Sequence, residues 1–166
     1  LLYGDVMKYC GAPGLKNTSK YEIVGEGGGN TGGDTPSTGD GNGSYESPFY
    51  PANVIALNPT STTEAPAGGA GVWVKGFIVG YMPTSTQTIL SNTVFGVPTE
   101  DVKTNMVLAP TADCKDYTQC ISIQLPSGAV RTALNLYTNP GNLGAEVLLY
   151  GDVMKYCGGP GLKNTS

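Results

Sequence analysis

The chain has 166 residues and a formal net charge of −4 at pH 7, from 9 Lys and Arg against 13 Asp and Glu. This acidic balance disfavours nucleic acid as a partner, because such binding depends on clustered Lys and Arg that neutralise phosphates. With no His in the chain and no nucleophile motif such as G-x-S-x-G, we expect a protein that is not an enzyme and needs no cofactor.

The most informative feature is a repeat. Residues 1–19 return as residues 148–166, and Ala12/Gly159 is the one difference. A match of this length indicates that the chain comes from a tandem array. We therefore predict that residues 1–24 are the C-terminal hairpin of a preceding repeat. Copy one continues through Tyr21 to Val24, whereas copy two ends at Ser166, which predicts a last strand truncated in copy two.

Residues 25–44 are rich in Gly, Ser, Thr and Asp and contain almost no apolar side chain. Such a segment cannot bury enough surface to offset its ordering entropy, so it is predicted to be a flexible linker. The domain proper is then 45–166, which is long enough to close one modest core.

Two helices are predicted in this domain. The first lies within 47–57, starts at a proline and ends before Asn58-Pro59. The second covers Ala129–Tyr137, with Ser127 as its cap and an apolar stripe at helical spacing.

The remaining segments have the patterns of strands. Val72–Tyr81 is apolar on both faces, and Gly76 and Gly80 within it indicate bulges or bends. Thr104–Ala109 and Ile121–Leu125 are shorter strands, and Thr88–Val97 is a weaker candidate. Glu146–Tyr156 alternates regularly and leads through the turn at 158–161 into Leu162–Asn164, which predicts a hairpin.

A short N-terminal helix, a long bent strand, further strands and one helix before the last hairpin fit a mainly β fold. The order predicts a five-stranded Greek-key barrel of the OB type.

Three motifs carry a family resemblance: VWVKGFIVGY at 72–81, CISIQLPSGAVRTALNLYTNPGNLG at 120–144 and LLYGDVMKYCGGPGLKN at 148–164. They resemble an OB-fold family of uncharacterised domains that occur, often in tandem, in exported lipoproteins of gut Gram-negative anaerobes. The resemblance implies a barrel, export to the outer-membrane surface or periplasm, and non-catalytic binding or scaffolding. It implies no established ligand. No stretch approaches the roughly 18–20 apolar residues of a membrane-spanning helix, so no transmembrane segment is expected.

The cysteines leave two interpretations open. Cys10 and Cys157 occupy the same repeat position, so the domain owns Cys114, Cys120 and Cys157, an odd number that argues against a complete disulfide framework. Cys114 and Cys120 are either free thiols or a disulfide across a short loop. Without His or a CxxC pair, no metal site is expected.

Aromatic residues are the candidate ligand-binding groups. OB barrels bind oligosaccharides or single-stranded nucleic acids across one face, with exposed rings as stacking surfaces. Alternation predicts one shared face for Trp73, Phe77 and Tyr81, and another for Tyr150 and Tyr156. The alternative is that these rings only complete the packing of the barrel. If they bind, the acidic charge favours a glycan or a protein over nucleic acid, and a purely structural spacer is a third possibility.

The repeat also predicts a mode of assembly. A hairpin at 1–24 without its own barrel and a barrel with an incomplete last strand are complementary, because an unpaired strand edge readily accepts another strand. We therefore expect copy one to pair with a barrel, either in its own chain or in a second chain as a strand-swapped homo-oligomer.

Overall fold

The structure is a computed structural model that describes residues 3–9, 12–19, 21–24, 39–83 and 90–166. Within these residues the strands and α-helices follow one another as β1 (Tyr3–Tyr9), β2 (Ala12–Ser19), β3 (Tyr21–Ile23), α1 (Pro51–Ala56), β4 (Val72–Tyr81), β5 (Val94–Phe95), β6 (Asn105–Ala109), β7 (Ile121–Gln124), α2 (Ala129–Leu134), β8 (Glu146–Tyr156) and β9 (Gly159–Lys163). Short 3-10 turns occupy Leu90–Asn92, Tyr117–Gln119 and Pro140–Asn142.

Five of the strands close into a barrel. Neighbours follow the order β4-β6-β7-β9-β8, and β8 returns to pair with β4. All neighbouring pairs are antiparallel except β7 and β9, which run parallel. With α2 inserted between β7 and β8, this arrangement is OB-like, so the predicted mainly β, five-stranded barrel is confirmed.

The long strand β4 serves both sides of the barrel because it bends at its glycines. Its first half pairs with β8 and its second half with β6 and β5. At Gly76, an added Cβ would lie 3.1 Å from the Ala109 carbonyl oxygen, and at Gly80 it would collide with the backbone of Val94. The register shifts between Ile78 and Gly80. The predicted bulge is therefore present at Gly80, and Gly76 marks a close approach of two strands.

The barrel interior is filled by alternating strand residues. Inward side chains from all five strands are fully or almost fully buried, among them Val74, Ile78, Leu108, Ile123, Leu149 and Leu162. A second, smaller cluster lies on the outside of β6 and the end of β4, and it contains Val79, Met82, Leu90, Val107, Ala109 and Cys120. Strand β6 is buried on both faces because it separates these two clusters.

Both helices are shorter than predicted. In α1, Pro51 takes the first position, and the Tyr50 N–H donates to the side-chain oxygen of Asn53 at 2.8 Å. The predicted Ser127 cap of α2 is wrong. The cap residue is Gly128 with φ of 124°, a backbone conformation that favours glycine. Among the described residues, no helix has the length and apolar character that crossing a membrane requires.

Other predicted boundaries also shift. Of the weak strand candidate 88–97, only Val94–Phe95 is a strand, while 84–89 lie outside the described residues. The last hairpin turns earlier than predicted, because Tyr156 already pairs with Gly159. Its two turn residues, Cys157 and Gly158, have φ of 49° and 74°. Two consecutive positive φ values are typical of the type I′ turns that join two-residue hairpins.

Candidate binding site

Three aromatic side chains meet on the outside of the barrel, where β4 pairs with β8. Trp73 lies opposite Tyr150 in the strand register, and their ring centroids are 5.4 Å apart at an interplanar angle of 61°. Tyr45, from the loop before α1, also contacts Trp73, with centroids 5.1 Å apart at 79°. All three residues are half-buried, so each retains surface that a ligand can reach. We call these three residues the aromatic cluster.

Strand alternation and register place two members of the aromatic cluster. Val72 and Val74 are buried, so Trp73 between them points out of the barrel. Residues that lie directly opposite on antiparallel strands project from the same face, which brings Tyr150 to Trp73. Gly71 makes room for this arrangement, because a Cβ there would lie 2.7 Å from the Tyr150 hydroxyl oxygen.

The third member, Tyr45, is placed by a loop that is hydrogen-bonded along β4. The Trp73 N–H donates to the Gly43 carbonyl at 2.8 Å, and the Phe49 N–H donates to the Trp73 carbonyl at 2.8 Å. Tyr45 was not among the predicted ring residues, and it adjoins the predicted linker 25–44. Of that linker, 25–38 lie outside the described residues, whereas Gly43 is bound to β4. A lone aromatic residue directly after a Gly-rich segment was the only signal for it.

Hydrogen-bond acceptors surround the aromatic cluster. A Glu22 carboxylate oxygen accepts a hydrogen bond from the Tyr45 hydroxyl at 3.1 Å. Asp152 on β8 accepts a backbone N–H and a side-chain amide, each at 2.8 Å. The nearby cation Lys75 is paired with Glu146 at 3.1 Å. Aromatic surface bordered by carboxylates suits a ligand with apolar faces and hydroxyl donors.

The structure brings together only two of the five predicted ring residues. Phe77 points outward but packs against the second apolar cluster. Tyr81, predicted to share a face with Trp73 and Phe77, is 5% exposed and lies beyond the register shift in β4, so it offers little surface to a ligand. Tyr156 lies six residues along β8 from Tyr150. Burial there raises the pKa of its hydroxyl, with a further contribution from the neighbouring Cys157.

A cleft of about 440 Å³ opens elsewhere on the barrel, beside the last hairpin. Leu90, Tyr117, Cys120 and Gly159 are among its lining residues, and the described part of its wall contains no charged side chain. Gly159 is the position at which the two repeat copies differ, and an added Cβ would lie 2.9 Å from Leu90. The described wall of the cleft offers the hydroxyls of Ser91, Tyr117 and Thr118 but a single aromatic ring. It is therefore a weaker candidate for ligand stacking than the aromatic cluster.

Two of the cysteines converge on one oxygen atom. Cys114, Cys120 and Cys157 are free thiols in the structure, and the sulfurs of Cys114 and Cys120 lie 3.7 and 3.2 Å from the Asp116 carbonyl oxygen. The disulfide between them stays a prediction. Within the residues that the structure describes, no three His, Cys, Asp or Glu side chains are grouped to hold a metal ion.

We expect the protein to lose stability in alkali. Burial raises the thiol pKa of Cys120 from 9.0 to about 12 and that of Cys157 from 9.0 to about 11. Below the thiol pKa of the unfolded chain, both states keep the proton and stability is at its full value. As the pH rises from that pKa towards the higher thiol pKa of the folded chain, the unfolded chain ionises first and stability is lost. In that window each thiol lowers the free energy of unfolding by about 1.4 kcal/mol per pH unit.

Denaturant unfolding at several pH values, from neutral up to about 11, measures this slope. Each of the variants Cys120→Ala and Cys157→Ala should reduce the slope of the free energy of unfolding against pH by the contribution of one thiol. A slope that neither substitution changes would show that these thiols do not couple folding to pH.

The family model described as a domain of unknown function (DUF6359) matches residues 59–166. Searches among curated proteins and among solved structures found no match. The matched range contains β4 to β9 and therefore Trp73 and Tyr150. Tyr45 and Glu22 lie outside it, so the candidate site combines the family domain with segments that precede it.

Proposed function

The chain belongs to this DUF6359 family of domains of unknown function, and we propose that it is a non-catalytic binding module whose aromatic cluster contacts a neutral glycan. The module is one unit of a tandem-repeat protein exported to the outer-membrane surface or periplasm of a Gram-negative bacterium. The nearly identical segments 1–19 and 148–166 support the array. The family resemblance of the three motifs motivates export.

The observation that carries the glycan proposal is the contact of three half-buried rings around Trp73. Sugar rings have apolar C–H faces and polar edges, so they pack on aromatic side chains while their hydroxyls reach nearby acceptors. Glu22 and Asp152 supply carboxylate oxygens beside these rings. OB-type barrels commonly use one outer face and its loops for such ligands.

Charge separates a neutral glycan from the alternatives. Single-stranded nucleic acid needs a basic groove beside its stacking rings. Here Lys75 is paired with Glu146, and Lys163, which lies opposite Asp152, donates to the Thr62 carbonyl. Sialylated or uronic sugars meet repulsion from the carboxylates. We therefore expect neutral oligosaccharides to bind and anionic ones to bind weakly.

The test is an array of immobilised neutral and anionic oligosaccharides, probed with the full chain and with Trp73→Ala. A nucleobase stacked on an aromatic side chain contributes about 1–3 kcal/mol, and we expect a similar loss for a sugar face, so Trp73→Ala should weaken binding by roughly tenfold. Tyr137→Ala is the matched control, because Tyr137 is 44% exposed and lies outside the aromatic cluster. Thermal unfolding of both variants confirms that the fold is kept.

Each other outcome has a clear meaning. Binding of neutral glycans that Trp73→Ala leaves unchanged would move the site away from the aromatic cluster. Retention of a single-stranded oligonucleotide that weakens steeply with salt would favour nucleic acid instead. If neither ligand class binds, the module is not a glycan-binding domain.

A further inference from the structure

Four separate segments of the chain surround the cleft beside the last hairpin. They are the end of α1, the 3-10 turns at Leu90–Asn92 and Tyr117–Gln119, and the hairpin from Gly158 to Pro160. The volume of the cleft, about 440 Å³, falls within the range of about 300–1,000 Å³ that is typical of small-molecule sites. None of its described lining residues belongs to the aromatic cluster, so the two sites are separate.

The deepest part of the cleft is apolar. Leu90 and Cys120 are 9% and 0% exposed, and both belong to the second apolar cluster on the outside of β6. Burial raises the pKa of the Cys120 thiol to about 12, so this thiol carries no charge at neutral pH. Ile55 and Pro160 add further apolar surface. Because the described wall also lacks a charged side chain, nothing there compensates an ion for its lost hydration, and the cleft suits an uncharged molecule.

The polar side of the cleft is a hydrogen-bonded turn. The Asp116 carboxylate accepts the Thr118 hydroxyl at 2.6 Å and the Thr118 N–H at 2.9 Å, and it also accepts the Gln119 side-chain amide at 3.1 Å. The Thr118 hydroxyl proton is thus already donated, so its oxygen can only accept a further hydrogen bond. Thr118 lines the cleft. A ligand with an O–H or N–H donor therefore fits this side.

One aromatic ring stands at the rim. Tyr117 lines the cleft next to Thr118, and it is 42% exposed. Aromatic rings gain from packing against one another at an offset or edge-on. The cleft therefore combines apolar depth, an accepting hydroxyl oxygen and a ring, which together match a flat aromatic molecule with one donor.

The remaining walls are held in place by hydrogen bonds. The Leu90 carbonyl accepts the N–H and the hydroxyl of Thr93, at 3.1 and 2.7 Å. At the last hairpin, the Ser122 hydroxyl donates to the Tyr156 carbonyl at 2.7 Å. Walls that are ordered before binding reduce the entropy cost that a ligand must offset.

Gly159 controls the width of the cleft. A Cβ at this position would lie 2.9 Å from the Leu90 Cδ2 atom and 3.1 Å from its Cβ atom. Rotation of the side chain relieves the first contact but not the second, so Leu90 as a whole must shift. The first repeat copy has Ala12 at this position, paired with Tyr9 as Gly159 is paired with Tyr156. The one difference between the two copies therefore falls at a residue that lines the cleft.

We propose that this cleft is a second binding site, which takes a small uncharged aromatic molecule with one hydrogen-bond donor, of the phenol or indole class. Glycine at position 159 keeps the cleft wide enough for it. A repeat with alanine at this position, as in the first copy, binds it weakly. The proposal does not depend on whether the aromatic cluster binds a glycan.

The experiment titrates the full chain with 2-naphthol, an uncharged aromatic molecule with one O–H donor, and follows amide chemical shifts by NMR. The amides of Thr118 and Gly158 report on the cleft, and that of Trp73 reports on the aromatic cluster. We expect saturable shifts at the cleft. The matched probes 2-methoxynaphthalene, which lacks the donor, and 2-naphthoate, which carries a charge, should each bind about fivefold more weakly or worse.

Two variants test the wall of the cleft. We expect Gly159→Ala to weaken 2-naphthol binding at least tenfold, and Gly141→Ala to bind as the parent does, because a Cβ at position 141 meets nothing within 4 Å. Thr118→Val removes the accepting oxygen and keeps the shape, so it should lose the preference for 2-naphthol over 2-methoxynaphthalene. Thermal unfolding of each variant checks that the fold is kept.

Three results would overturn the proposal. Without a saturable shift at Thr118 and Gly158, the cleft is not a site for this class of molecule. Shifts confined to the surroundings of Trp73 would assign the probe to the aromatic cluster. Equal binding by the parent, Gly159→Ala and Thr118→Val would mean that neither the width of the cleft nor its accepting oxygen selects the ligand.

Discussion

Replacement of Gly161 by alanine is expected to lower the free energy of unfolding by about 3 kcal/mol, because it forces apart the strands that close the barrel. Gly161 on β9 pairs with Ser122 on β7, the parallel pair of the barrel. A Cβ at position 161 would lie 2.5 Å from the Ser122 carbonyl oxygen and 2.9 Å from the Tyr156 Cβ. Backbone atoms and a Cβ cannot rotate away, so the strands themselves must move.

Gly141→Ala is the matched control, because an added Cβ at position 141 meets nothing within 4 Å. Denaturant unfolding of the two variants and the parent measures the difference. We expect Gly141→Ala to stay within about 0.5 kcal/mol of the parent, as surface substitutions usually do. If Gly161→Ala is as stable as Gly141→Ala, the contact between β7 and β9 is looser than the structure shows.

The second large effect is expected at Asn105, a buried polar residue at the start of β6. Its side-chain oxygen accepts the Met82 N–H at 2.7 Å, and its side-chain amide donates to the Met82 carbonyl at 3.1 Å. Both residues are almost fully buried, at 3% and 0% exposure. Asn105→Ala leaves both main-chain groups of Met82 without these partners. We expect a loss of about 3 kcal/mol in the free energy of unfolding.

Asn142→Ala is the control for a hydrogen-bonded asparagine in a half-buried position. Its side-chain amide donates to one carbonyl, that of Ala133, at 2.8 Å, so we expect a loss of about 1 kcal/mol. The test compares the losses in the free energy of unfolding that the two variants cause. Equal losses would indicate that water reaches Met82 when Asn105 is removed.

The candidate site is assembled from parts of the chain that are far apart in sequence. Trp73 and Tyr150 come from the barrel, Tyr45 from the loop before α1, and Glu22 from the first repeat copy. The rings and carboxylates of the site therefore meet only in the folded chain.

Local patterns predicted much of this fold. The apolar strands, the hairpin of the repeated segment and one helix between β7 and β8 were enough to predict the five-stranded barrel, because barrel strands must alternate and must pair in a small number of orders. The glycines of β4 were also informative, since only close strand contacts and bends favour glycine within an apolar strand.

The candidate site was predicted only in part. Trp73 and Tyr150 were selected, but Tyr81, which was also selected, is 5% exposed and lies beyond a register shift that the sequence pattern did not predict in position. Tyr45 was missed, because the loop that holds it is ordered by hydrogen bonds to β4 and not by any periodicity of its own. The prediction that Ser127 caps α2 was wrong for a similar reason. The cap position has a φ of 124°, which glycine adopts readily, and the sequence pattern did not reveal this backbone conformation.

The sequence by itself determined the strand content, the barrel class, the acidic charge and the near identity of residues 1–19 and 148–166. These properties follow from composition and local periodicity, which need no knowledge of partners. Only the tertiary structure decided that Tyr45 and Tyr150 meet at Trp73 and that Tyr21 to Val24 lie on the edge of β8. Both depend on register and loop closure between distant segments. Many registers satisfy the same local pattern, and the packing of the whole barrel selects one of them.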